Sequence, residues 1–450
     1  MRVLVLVFVL LCTVLAPAAA TAQDAAALRR EIEQLQKQLQ SVTERLQRLE
    51  SQPPAPTPVA PGAAAPRPAP VSPVSPIDLA RPREPYSLYQ QRGAGQLLFD
   101  IGLAGDFVAN FTRGKVERAG GGTFAGLENR FFPREVELSL FGQIDPYASA
   151  VVRIESGEEE RAGELAVHLA EANLTLLTLP FGTQAKLGLV RNRFGYNNVY
   201  HAHDLPWIDR PNAFRIFFGD EGLNEKGLEA TIIPDLPVYL EGLVGVFNGD
   251  NEDAFGRATL RAPLVTGRVR TFFELGSEHG ILLGMSVANG QTAERLPSTM
   301  LGWEGRYKHR PDGWLHPLVT VTGEALYSLR QVNVDVDSDG DGVTDSLDRK
   351  RRNHWGWYLG AEVQPWRRWA GGLRFDWSQY PQNPGYEYSI EPYVSFWPSE
   401  FLRFRLGYKR TDRSTQTREA FNLNDASARR VDEILFQATF ILGAHPAHPF

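Results

Sequence analysis

From Gln96 to its C-terminus the chain alternates apolar and polar residues with a period of two, which commits it to strands with one dry and one wet face. In QLLFDIGLAGDFVANF one face carries Phe99, Ile101, Leu103, Phe107 and Phe111, and the other carries Asp100, Asp106 and Asn110. The pattern returns in EVELSLFGQI, AKLGLV, VYLEGLVGVF, MLGWEGRYKH, WGWYLGAEVQP, GGLRFDWS, YSIEPYVSFW, LRFRLGYKR and EILFQATFIL. Abundant Phe (25), Tyr (14), Trp (9) and Gly (41) against only 3 Met agrees with strands rather than helices.

Alternation alone also suits a soluble sandwich, so the connections have to decide. Short turns (IDPY, PDLP, RPDGW, QPWRR, WPSE) exchange with long polar segments at Thr112 to Arg130, Arg191 to Lys226, Ser328 to Asn353 and Thr411 to Arg430. That order belongs to transmembrane barrels, as do aromatics at strand ends, here Trp355, Trp357, Trp366, Trp369, Trp377, Phe396 and Trp397. The expected fold is all-β: a sixteen-stranded antiparallel transmembrane barrel over residues 95–450, with both ends on the short-turn side and an aqueous lumen.

Upstream the physics differs. MRVLVLVFVLLCTVLAPAAATAQ has one early positive charge, an apolar run and a small-residue exit, so residues 1–22 read as a secretory signal peptide. Cys12, the single cysteine, lies inside it; the bulky Leu11 before it and the apolar run beyond it disfavour a lipidation site. In residues 23–52, Leu28, Ile32, Leu35, Leu39, Val42, Leu46 and Leu49 form a seam of period 3.5, the pattern of a short coiled coil; one amphipathic helix is the simpler alternative. Residues 53–94 form a Pro/Ala-rich linker, with 12 of the 31 prolines between 53 and 86. No later apolar run reaches the roughly 18 residues of a spanning helix. A net charge of −6 excludes an electrostatic case for nucleic acid.

The barrel resembles the outer-membrane porins of the phosphate-selective porin O and P type. The likeness rests on AKLGLVRNRFGYNNVYHAHDLPWIDRPNAFRIFFGDEGLNEKGLEATII, where Gly188 and Phe194-Gly195 precede an Asp-Arg-Pro segment and Gly219, Gly222 and Gly227 lead into the next strand. The resemblance implies a passive channel in the outer membrane of a Gram-negative-type bacterium, contact with outer-membrane lipid, assembly as a homo-oligomer, a trimer by family habit, and a coiled coil in the periplasm. It also implies that the third outer loop, Arg191 to Lys226, folds into the lumen. That loop carries Arg191, Arg193, Arg210, Arg215, His201 and His203 against Asp204, Asp209, Asp220 and Glu221; a loop packed on the rim is the plainer reading.

Alternation turns Arg403, Arg405 and Lys409 toward the lumen and Leu402, Phe404, Leu406 and Tyr408 toward lipid; Lys186, Arg261, Arg306, Lys308 and Arg374 would face inward too. So would Asp100, Asp106, Glu135, Glu137, Glu155, Glu304, Glu324, Glu362, Glu387 and Glu391, which makes the lining mixed rather than basic. The expected function is a general or weakly selective pore for small hydrophilic solutes or ions, with anions such as phosphate as the narrower reading. The competing reading is a structural barrel that tethers the envelope through its coiled coil. No nucleophile elbow, zinc-protease motif or phosphate-cradling loop argues for an enzyme.

One motif stands apart. In DVDSDGDGVTDSLD, Asp337, Asp339, Asp341 and Asp345 take positions 1, 3, 5 and 9 of a twelve-residue calcium loop, with Gly342 at 6, the Val343 carbonyl at 7 and Asp348 at 12. Strand patterns, not helices, flank it, so the expectation is a structural Ca2+ site ordering the sixth outer loop, with a solvated acidic loop as the alternative. His445 and His448, near the terminal Phe450, have metal-ligand spacing, but exposed terminal imidazoles are commonly unliganded.

Overall fold

The computed structural model describes residues 99–113, 122–124, 126–158, 163–336, 346–381, 383–420 and 429–443. The expected signal peptide, coiled coil and linker, the calcium-motif residues Asp337, Asp339, Asp341, Val343 and Asp345, and His445 and His448 lie outside them.

The described chain closes into the expected barrel. Its strands are β1 (Phe99–Arg113), β2 (Arg130–Asp145), β3 (Ala148–Glu158), β4 (Leu165–Leu179), β5 (Thr183–Arg191), β6 (Asn224–Ile232), β7 (Tyr239–Phe247) and β8 (Leu264–Leu275). They continue as β9 (His279–Gln291), β10 (Pro297–His309), β11 (Val319–Val336), β12 (Ser346–Trp366), β13 (Trp369–Gln379), β14 (Tyr386–Ser399), β15 (Leu402–Arg413) and β16 (Arg430–Gly443). Each pairs antiparallel with its sequence neighbours, and β1 closes on β16 from Gly102↔Gly443 to Arg113↔Asp432. Closure gives every strand two partners, so no edge is left to seek one.

Side-chain alternation separates the two faces. Ile390, Leu406, Ile434 and Phe436 are exposed outside, while their neighbours Glu391, Arg405, Glu433 and Gln437 are buried inside. Aromatic pairs mark both ends of the outer face: Trp369 with Phe396 near the short turns (centroids 4.5 Å apart), and Tyr327 with Trp355 toward the other end (4.5 Å). An apolar band between aromatic rims is the outer surface a bilayer requires.

Two expectations need correction. The segment Ser328 to Asn353 is not a long loop: β11 and β12 stay paired out to Val336↔Ser346, and Asp348 sits in that ladder opposite Val334. Val332, Val334 and Val336 alternate with Asn333 and Asp335 on the β11 side, but the β12 side, SLDRKRR, is polar and exposed on both faces and leaves no period-two signal. Arg261 lies in the connection between β7 and β8 and is exposed, so it does not face the lumen.

Candidate functional site: a loop across the lumen

The longest described connection, residues 192–223 between β5 and β6, is almost wholly buried. Its apolar side chains Trp207, Phe214, Phe217 and Phe218 form one cluster with the wall residues Met300, Leu326, Tyr358 and Tyr393. These wall positions share the inward face with the buried charges, so the loop lies inside the barrel and not on its rim.

Small wall residues make room for it. A methyl group at Gly360 of β12 would stand 2.5 Å from the Trp207 ring, so only glycine admits the indole there. Within the loop, Asn212–Phe218 forms a short helix, α1, which ends at Gly219 with a φ of 79° that favours glycine. Its first turn is capped from the wall, where Asp376 Oδ1 accepts the Asn212 N–H at 3.1 Å.

The loop is tied to the wall around the ring. Glu324 of β11 accepts the backbone N–H groups of Tyr196 (2.8 Å) and Asn197 (2.9 Å), and Arg268 of β8 donates to the Gly195 carbonyl at 3.2 Å. Arg134 of β2 donates to the carbonyls of Ala202 (2.8 Å) and Ile208. On β15, Arg403 donates to the His203 carbonyl and Arg405 to that of Leu205 (3.2 Å). Arg374 of β13 grips Asp209 with its guanidinium, 2.9 Å to the carbonyl and 2.6 Å to Oδ1, while Lys409 bonds Asp209 Oδ2 and Asn212 Oδ1 (2.9 Å). Burial works against the Asp209 charge, but Arg374 and Lys409 outweigh it and hold this carboxyl well below the usual range.

The basic column Arg403, Arg405 and Lys409 does face inward, as alternation predicts, but each of its side chains donates to the loop. The other expected lining residues are engaged as well. Arg191 at the end of β5 pairs with Glu221 (2.9 Å), Arg193 with Glu229 (2.6 Å) and Arg215 with Glu387 (3.4 Å). Arg210 donates to the carbonyls of Asp220 (3.0 Å), Asn197 (3.3 Å) and Tyr200 (3.0 Å), and Asp204 stands 3.0 Å from His203 Nε2. Lys186 is the cross-strand neighbour of Glu229, Arg306 lies over the Tyr196 ring at 4.6 Å, and Lys308 sits on the same half-buried end of β10.

The alternation rule placed Glu135, Glu137 and Glu155 inward without joining them to the loop histidines. His201 meets Glu155 and Glu137 through Nδ1 and Glu171 through Nε2, while His203 meets Glu135 through Nδ1. Burial opposes charge on His203, but Glu135 and Asp204 prevail and raise its pKa well above the ordinary value. A cavity of about 880 Å³ opens over this group, lined by Glu135, Glu155, His168, Arg191, Arg210 and Asp250 among others.

The fold and this interior loop define the class: a closed sixteen-stranded barrel with a charged lumen narrowed from within. No protein-family model matches the chain. An uncharacterised protein of Aquifex aeolicus is 28% identical over 351 residues, spanning 70% of this chain and 69% of that one. The anion-selective porin from Comamonas acidovorans superposes with a TM-score of 0.49 at 10% identity, covering 76% of this chain and 99% of the porin. The outer-membrane channel DcaP of Acinetobacter baumannii gives 0.48 at 11% (76% and 96%), and OmpF of Salmonella typhi, solved with daunomycin, gives 0.46 at 11% (76% and 97%).

Proposed function

We propose that the chain is an outer-membrane porin: a water-filled channel for passive diffusion of small hydrophilic solutes and ions, and not an enzyme. One observation carries the reading, a closed sixteen-stranded barrel whose outer face is apolar between aromatic rims while its inner face is charged and crossed by a loop. The pore is weakly selective, because inward cations are matched by Asp106, Glu135, Glu137, Glu155, Glu324 and Glu391. Phosphate or another anion is the narrower substrate reading, and the loop-bound state of Arg403, Arg405 and Lys409 weighs against it.

The resemblance to porins of the O and P type supports a trimer, with the coiled coil of residues 23–52 in the periplasm. The spacing of Asp337, Asp339, Asp341, Val343, Asp345 and Asp348, between β11 and β12 in sequence, supports a structural Ca2+ site; Asp348 is exposed, 3.9 Å from Lys350.

A second reading has its own support: the loop ties to strands all around the ring, as a plug would, which suits a barrel that anchors the envelope through its coiled coil. Deleting residues 23–86 separates the two. Solute uptake unchanged together with envelope blebbing supports the anchor, and uptake lost without blebbing supports the pore.

A further inference from the structure

We propose that Glu135, Glu137, Glu155 and His201 form a binding site for a divalent first-row transition cation, three carboxylates and one imidazole, at the seam between the loop and the β2–β3 wall. The inference is independent of whether the barrel conducts.

The donors are already gathered. One ligand atom from each of the four residues lies within 4.8 Å of all the others, and every one of these side chains is buried. A cation about 2.1 Å from each donor would hold them roughly 3.4 Å apart in a tetrahedron, a difference that carboxylate rotation closes.

Register makes the cluster costly without an ion. Glu137 and Glu155 are direct cross-strand partners, and like charges placed opposite each other repel. Four buried carboxylates (Glu135, Glu137, Glu155 and Glu171) and the half-buried Asp204 crowd here; Arg153 pairs with Glu137 and Glu171, Arg191 stands 4.0 Å from Glu155, and Arg210 and Arg403 act on Glu135 and Asp204. The repulsion between Glu137 and Glu155 remains to be offset, by protons on the neighbouring histidines or by a cation.

The Glu137 carboxylate gives the second observation. Its Oε1 accepts from Ser139, but Oε2 is buried, accepts no hydrogen bond and stands 3.1 Å from a His201 Nδ1 that is hydrogen-bonded to Glu155. A buried carboxylate oxygen without a donor is costly, and a metal bond relieves it. The mixed donor set favours Mn2+ or Zn2+ over Ca2+, which prefers oxygen alone. The cavity above, walled by Glu135 and Glu155, is the entry path. Once bound, the ion ties the loop, through His201, to two wall strands.

The test uses folded, full-length protein carrying D339N and D341N, so that the acidic ribbon tip does not contribute, stripped with a chelator and titrated calorimetrically with MnCl2 and ZnCl2. The expected result is one equivalent bound with proton release, weakened at least tenfold by E137Q and unchanged by E400Q, which alters an exposed carboxylate in the β14–β15 turn. X-ray absorption of the zinc-loaded protein needs no cluster variant and is expected to show oxygen donors with one imidazole. Absence of binding, equal binding by E137Q, or a shell without imidazole overturns the site and leaves protons to neutralise the cluster.

Discussion

Arg374 of β13 and Asp209 of the interior loop form a buried pair, guanidinium Nη2 to Oδ1 at 2.6 Å, with Arg374 0% and Asp209 3% exposed. Lys409 holds the other carboxylate oxygen, so two wall cations converge on one loop residue. Substituting Asp209→Ala leaves both cations buried without it, a loss on the order of 3 kcal/mol. The expected outcome is a lower denaturant midpoint in lipid vesicles together with a larger single-channel conductance. A loop that keeps its place without this pair would leave both quantities at wild-type values.

Gly360→Leu places a side chain where the Trp207 ring now rests. The indole has to leave its slot against Tyr358, whose ring centroid is 5.1 Å away, and the loop loosens with it. Limited trypsinolysis is expected to cut after Arg215, which Ile216 follows, in the variant and to spare it in the wild type, while the barrel stays resistant to unfolding by SDS. Equal protection of the two proteins would place the loop's anchorage elsewhere.

Arg403 and Arg405 donate to loop carbonyls, so the double variant R403A/R405A is expected to alter conductance more than ion preference. Reversal potentials under a salt gradient measure the preference, and the anion-to-cation permeability ratio should move by less than about twofold. A collapse of anion preference would show that the basic column filters after all.

For the ribbon tip, calcium is expected to slow proteolysis between Val336 and Ser346 in the wild type, and D339N/D341N should abolish that protection. Cleavage rates measured by mass spectrometry with and without chelator make the comparison. Protection indifferent to calcium means that the aspartates are solvated.

The barrel was legible because a bilayer forces alternation: LRFRLGYKR can point only one way, and the buried Arg405 and Lys409 and exposed Leu406 follow. The outer half of the β11–β12 ribbon was not, since the β12 side, SLDRKRR, is wet on both faces and obeys no such rule, which left the alternation of Val332, Val334 and Val336 without a visible partner strand. Trp207, Phe214 and Phe217 announced that their loop packs against something. Its partners stayed hidden, because the meeting of His201 with Glu155, or of Asp209 with Lys409, depends on cross-strand register and on the path of the loop, and neither has a local sequence signature. For the same reason charge sign alone misrepresented the basic column: what a lumen arginine does depends on whether its donors are already taken.

The central claim is that this barrel conducts and that the interior loop sets its bore. Planar-bilayer recordings should compare the wild type with a variant in which residues 196–218 are replaced by a short Gly/Ser linker. Discrete steps from the wild type, and steps at least twofold larger from the variant, are the predicted result. No conductance from folded wild-type protein, or equal steps from both, would contradict it.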